Sequence, residues 1–398
     1  MKFMHFSTSS VRSLFAVFGA VLLAFSFNRC SDDDSVNPGV VSISTHATLG
    51  EILVDGNGKT LYVFTKDVGG QSQCADNCLA AWPVYYAADL KPQAGIDLAD
   101  FATITRNDGR MQTTYKGWPL YYYVGDKAKG DATGEALDNE WFVAKTNYSI
   151  MLVSHATYGN VLTDNQGRIL YFFARDTKGT SNCTGGCLTR WPFFKTDQIV
   201  IPSGGLLNAA DFGSIGDGAT KQTTYKGRPL YYFSPDNNGS IEAAGQTGGE
   251  NFGTIWFVAK PDYSLMVANA QLVGLDGKNY TSAYVEGTGV TRYFTDAAGR
   301  TLYLFTNDKK STNTFTNSTF SNDANWPIFH TQITRLPSGM SASDFGTITV
   351  FGRSQLTYKG WPLYYFGQDA AKGDTKGVSV GGPGKWPVIT TATAEAPL

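Results

Sequence analysis

The sequence predicts an all-β fold: three tandem antiparallel β-domains, each with two internal half-repeats, or alternatively a single six-bladed β-propeller. Three observations carry this. Aromatic side chains make up 14% of the 398 residues and glycines number 44, a composition of strands and tight turns. Helical amphipathic periodicity is weak, whereas β-prone runs are punctuated by turn sequences at 55–58, 107–109 and 116–117. Above all, one residue pattern recurs three times, at offsets of about 110 and about 130 residues.

The N-terminus comes first in the chain. Lys2 and Arg12 precede an apolar run, Leu14–Phe27, of 14 residues. That is too short to span a membrane and suits the apolar segment of an export leader. Cys30 follows, then Ser31 and the acids Asp32, Asp33 and Asp34. A cysteine so placed resembles the acylated N-terminus of a bacterial lipoprotein, and the acidic run resembles the signal for the outer face of the outer membrane. Residues 1–29 are therefore expected to be a lipoprotein signal peptide, and 30–40 an acidic tether whose acylated Cys30 partners outer-membrane lipid. Arg29 stands where a lipobox has a small residue, so plain secretion with cleavage after Ser26 is the alternative. The chain carries 32 basic and 34 acidic side chains, and loss of Lys2, Arg12 and Arg29 would leave a body at −5. Such a body has no positive field to release counterions from phosphates, so no nucleic-acid partner is expected.

The repeats follow, read as 41–148, 149–270 and 291–398, with the Gly-, Thr- and Asn-containing stretch 271–290 as a linker. Each has an Asp-x-x-Gly turn (Asp55, Asp164, Asp296) before a strand, then a Trp-Pro pair at Trp82, Trp191 and Trp326. Next comes a Tyr-Lys-Gly hairpin at 115, 225 and 358, and finally a closing Trp141, Trp256 or Trp386. Within each repeat Tyr-x-aromatic-x-x-Asp occurs twice. The six motif acids are Asp67, Asp126, Asp176, Asp236, Asp308 and Asp369.

These motifs, with the Cys-x3-Cys-x3-Trp-Pro runs after Asp67 and Asp176, resemble the bacterial family of predicted lipoproteins with a Tyr-x-(Phe/Trp/Tyr)-x-x-Asp motif, also called the secreted repeat of unknown function. The resemblance covers nearly the whole chain beyond the leader. Repeat three departs from it, lacking cysteines and having a longer Asp-to-Trp interval. The family implies location and architecture; it carries no activity.

Candidate chemistry is sparse. Repeat three loses both cysteines together, which pairs Cys74 with Cys78 and Cys183 with Cys187 as local disulfides; a redox dithiol or metal site is the alternative. The motif acids follow their strands by two residues and are expected to cap turns. Calcium at Asp126 and Asp131, or Asp369 and Asp374, is a weaker reading with only two acids per loop. His46 and His155 are equivalent, with Gly287 read as their counterpart in repeat three, and a structural role is expected. No nucleophile elbow, zinc-protease helix or phosphate loop is present, so the protein is expected not to be an enzyme and to need no cofactor or metal. The hairpin tips Trp118, Arg228 and Trp361 are candidate binding residues, because flat Trp and Arg faces stack on sugars or on a protein. The expected function is a surface-exposed outer-membrane lipoprotein, non-catalytic, binding an envelope protein or glycan or serving as envelope structure. The alternative is an extracytoplasmic redox or metal-handling accessory.

Overall fold

Each repeat opens with an antiparallel hairpin that runs into the Asp-x-x-Gly turn. In this computed structural model, which describes residues 39–398, Val40–His46 pairs with Gly50–Asp55, and Ile150–His155 with Gly159–Asp164. The leader 1–29, Cys30 and most of the 30–40 segment lie outside the described residues. After the turn, Tyr62–Phe64 pairs with the closing strand Trp141–Val143, and Tyr171–Phe173 with Trp256–Val258. In repeat three Pro387 takes the position of Phe142 and Phe257. Proline has no N–H to give, and the pairing there is reduced to bridges such as Tyr303↔Val388. The Tyr-Lys-Gly hairpins build three-stranded sheets, such as Phe101–Thr105, Met111–Tyr115 and Trp118–Pro119.

All-β is the observed class. Among the described residues the strands form eight small sheets of two or three strands, with two short α-helices at Asn77–Ala81 and Cys187–Arg190. Among the described residues there is no closed barrel or propeller, so the six-bladed alternative is not found. Buried side chains of repeats one and two, from Val41 and Phe142 to Val161 and Val258, form one continuous apolar cluster.

Residues 271–290 are not a linker. Leu265–Val273 pairs with Val290–Asp296, from Leu265↔Asp296 to Gln271↔Val290, which makes this the opening hairpin of repeat three. That repeat therefore starts at Leu265, and 274–289 is an insertion into the turn of its hairpin. The insertion is folded: Tyr280 and Leu272 are buried, and the Gln271 amide donates to Tyr280 O while its carbonyl accepts from Gly289 N. By the same register the counterpart of His46 and His155 is Ala270 and not Gly287.

Candidate functional site

The Tyr-x-aromatic-x-x-Asp motif explains itself through a crossover between half-repeats. Tyr62 and Tyr121 exchange backbone hydrogen bonds, N–H to C=O in both directions, at 2.9 and 3.0 Å. Each tyrosine then reaches the acid of the other half. Tyr121 Oη donates to Asp67 Oδ2 at 2.6 Å, and Tyr62 Oη to Asp126 Oδ2 at 2.7 Å. Repeat three is the same, Tyr364 to Asp308 and Tyr303 to Asp369. The second oxygen of each acid caps the following loop, as expected for a turn residue: Asp67 Oδ1 accepts from Gln73 N, and Asp126 Oδ1 from Thr133 N. Both oxygens of these carboxylates are thereby committed to the protein.

Repeat two breaks the pattern in one place. Tyr231 donates to Asp176, but Tyr171 donates to Glu242, and Asp236 is an exposed residue outside the crossover. The sequence signal for Glu242 lies downstream. Gly134, Gly249 and Gly377 sit where a Cβ would come within 3 Å of a Trp ring and a Tyr ring, and the crossover acid stands seven or eight residues before each. Glu242→Ala is expected to cost about 2–4 kcal/mol, since it strands the Tyr171 hydroxyl and Gly248 N–H, whereas Asp236→Ala should fall within about 0.5 kcal/mol of wild type. Urea titration of the two variants checks this.

Around each crossover lies an aromatic stack. Trp191 lies 3.7 Å from Trp256 at an interplanar angle of 3°, and Trp256 lies 4.0 Å from Phe173. The Trp82–Trp141 and Trp326–Trp386 pairs repeat it at 3.8 and 3.6 Å. The disulfides Cys74–Cys78 and Cys183–Cys187 are formed, with Cα atoms 5.4 Å apart. While they persist they offer no thiolate to a metal. In repeat three, Asn313 and Asn322 side chains tie the same loop, Asn322 Nδ2 donating to Phe315 O.

The hairpin tips are not a free recognition surface. Trp118 is 3% exposed, and its Nε1 donates to Asn165 O, on the Asp164–Gly167 turn of the next repeat. Arg228 is 9% exposed and occupies the same place against the Asp296–Gly299 turn, where a Cβ on Gly299 would lie 3.5 Å from its guanidinium. Burial pulls its guanidinium down to about 10, against the pull of Asp296 and Asp176. Trp361 is half-buried, its Nε1 donating to Ala394 O. The tip tolerates both Trp and Arg because it meets a different neighbour in each repeat. The histidines also act locally: Nδ1 of His46 accepts from Leu49 N, and Nδ1 of His155 from Thr157 N and Tyr158 N, closing the hairpin turns.

Polar side chains line open space where repeats one and two join. A cleft of about 510 Å³ is floored by Asp164, Arg168 and Tyr232. Asp164 Oδ2 accepts from Arg168 Nε at 2.6 Å and from Tyr232 Oη at 2.9 Å. The rim carries Asn147, Asn165, Lys195 and Gln198, and the buried Tyr148 hydroxyl has no hydrogen-bond partner. The arrangement presents donors and acceptors of both kinds to a polar ligand. Sequence reasoning missed this cleft, because its lining comes from separate segments around 147, 165, 196 and 232, and Asp164 reads there only as a turn acid.

A family model described as a secreted repeat of unknown function matches five segments, 44–85, 102–145, 153–195, 216–260 and 348–390. These are both halves of repeats one and two and the second half of repeat three. No curated protein and no solved structure matches the chain.

Proposed function

We propose that this chain, which belongs to the family of secreted repeats of unknown function, is a surface-exposed outer-membrane lipoprotein serving as a non-catalytic binding module of the cell envelope. The observation that carries the binding role is the cleft between repeats one and two, with its Asp164–Arg168–Tyr232 floor and amide-rich rim. Such a surface suits a hydroxyl-rich ligand, and an envelope glycan is the class that fits it. The scaffold around it is built for rigidity: buried Tyr–carboxylate pairs, stacked indoles and two short disulfide loops hold the walls in place. Anchoring rests on the leader and on Cys30 with its acidic followers.

Two measurements test the reading. A triple variant of the rim, Asn147→Ala, Lys195→Ala and Gln198→Ala, should weaken capture of envelope glycans about tenfold or more without shifting the melting temperature. Retention of full binding would sink the cleft as the ligand site. For the anchor, Cys30→Ala should move the protein from the membrane fraction to the soluble fraction of exported material, and a variant that stays membrane-bound would contradict acylation at that residue.

A further inference from the structure

A second cavity, of about 610 Å³, shares no residue with the junction cleft and is lined by all three repeats. Repeat one contributes Lys66, Val68 and Gln73, from the segment between its Tyr-x-Phe strand and its disulfide. Repeat two contributes the hairpin turn Ser154–Gly159 and Gly245, and repeat three contributes Arg335. Two cations therefore line one cavity together with the small hydroxyls of Ser154 and Thr157. No carboxylate is among the lining residues.

Each cation has one acid behind it: Lys66 Nζ lies 2.8 Å from Glu140 and Arg335 Nε 3.5 Å from Asp262. Neither is used up by that contact, for their side chains remain 44% and 48% exposed, with further N–H donors to give. Arg335 is also seated. Its guanidinium lies against the backbone of Gly159, where a Cβ would come within 2.7 Å of Nη2, whereas the equivalent Gly50 of repeat one has nothing within 4 Å. The third repeat thus closes over a hairpin that in repeat one stands open. Lys260 adds positive charge nearby and, with burial as the larger cause, lowers the pKa of His155, so that imidazole is held neutral as a turn cap. Glu140 and Asp262 pair with Lys66 and Arg335, Glu250 attracts Lys260, and none of these three acids lines the cavity.

We propose that this cavity binds an acidic saccharide, with Lys66 and Arg335 holding its carboxylates and Ser154, Thr157 and Gln73 meeting its hydroxyls. A lone inorganic anion would fill little of such a volume, while two cations from different repeats suit a ligand with more than one acidic group. The ligand bridges repeats one and three, so it binds only the assembled chain and raises its melting temperature.

The test uses the full exported chain and three probes: a tri-uronic-acid oligosaccharide, its carboxyl-reduced neutral counterpart, and inorganic phosphate. Calorimetry should show binding of the acidic trisaccharide that weakens with added salt, and about tenfold weaker binding in each of Lys66→Gln and Arg335→Gln. Lys66→Arg should keep most of the affinity. Because both cations are half exposed, the Gln variants should melt at the wild-type temperature without ligand. Equal binding of the neutral sugar, equal binding of phosphate, or unchanged affinity in both Gln variants would each overturn the proposal.

Discussion

Trp191→Ala is expected to destabilise the protein by about 3–5 kcal/mol, the largest effect of any single truncation in the second repeat. The indole is 2% exposed and lies 3.7 Å from Trp256, 4.7 Å from Phe233 and 5.5 Å from Tyr171. On its remaining side is the backbone of Gly249, placed so close that a Cβ there would come within 2.8 Å of the ring. The walls of the resulting void are thus stacked rings and backbone, which cannot relax inward as flexible aliphatic chains can. The Trp191 backbone N–H donates to Cys187 O, a bond that the alanine variant keeps, so the loss is that of the ring alone. Trp191→Phe, which keeps part of the stack, should cost about half as much. Guanidinium titration followed by circular dichroism measures both, and a loss below about 1 kcal/mol for the alanine variant would show that the stack is ornamental.

Stability should fall as pH rises from about 5 to about 8, the reverse of the trend set by salt-bridged surface carboxylates. Burial is the leading cause that raises Asp67, Asp369, Glu135 and Glu242 to about 7, and Asp176 to about 6. In the unfolded chain the same groups titrate near 4. Between those values the native state holds more protons than the unfolded state, so the unfolding free energy declines with increasing pH. The stabilisation is complete below about pH 4 and is lost as pH rises through 6 to 7. Asp108 and Asp131 lie on the other side of the ledger, lowered by hydrogen bonds, but they act only in more acidic solution. A drop in melting temperature on the order of 10 °C between pH 5 and 8 is expected, and Glu242→Gln should flatten part of it. A flat or rising profile would mean that the crossover acids are ionised throughout.

Much of the architecture was legible in the sequence because it is written as repetition. The pairing of Cys74 with Cys78 followed from the joint loss of both cysteines in repeat three, and the formed disulfides agree. The motif acids as turn caps were half of the story, since Asp67 caps a loop through one oxygen and receives a tyrosine from the partner half through the other. That second bond spans 54 residues, and spacing along the chain says nothing about such a contact. Asp236 was misleading for the same reason: it satisfies the pattern, while the longer reach of Glu242 does the chemistry from a position six residues on. The start of repeat three was hidden by polar residues inserted into a hairpin turn, which separate Leu265 from its partner Asp296 and imitate a linker. The tips failed as binding residues because burial between repeats is a tertiary fact: Trp118 beside Pro119 looks the same whether it faces solvent or the turn of the next unit.

One place in the fold makes two kinds of joint. Trp118 is fitted to a backbone carbonyl on the turn at 164–167, whereas Arg228 answers the acid that opens the turn at 296–299. The tips are therefore matched connectors, each keyed to the unit that follows it. Both turns open with an aspartate, Asp164 and Asp296, so the residue at the tip, an indole in one repeat and a guanidinium in the next, sets the kind of attraction made at each junction. The three copies keep one plan, and the chain varies the chemistry of its joints by a single residue at each tip.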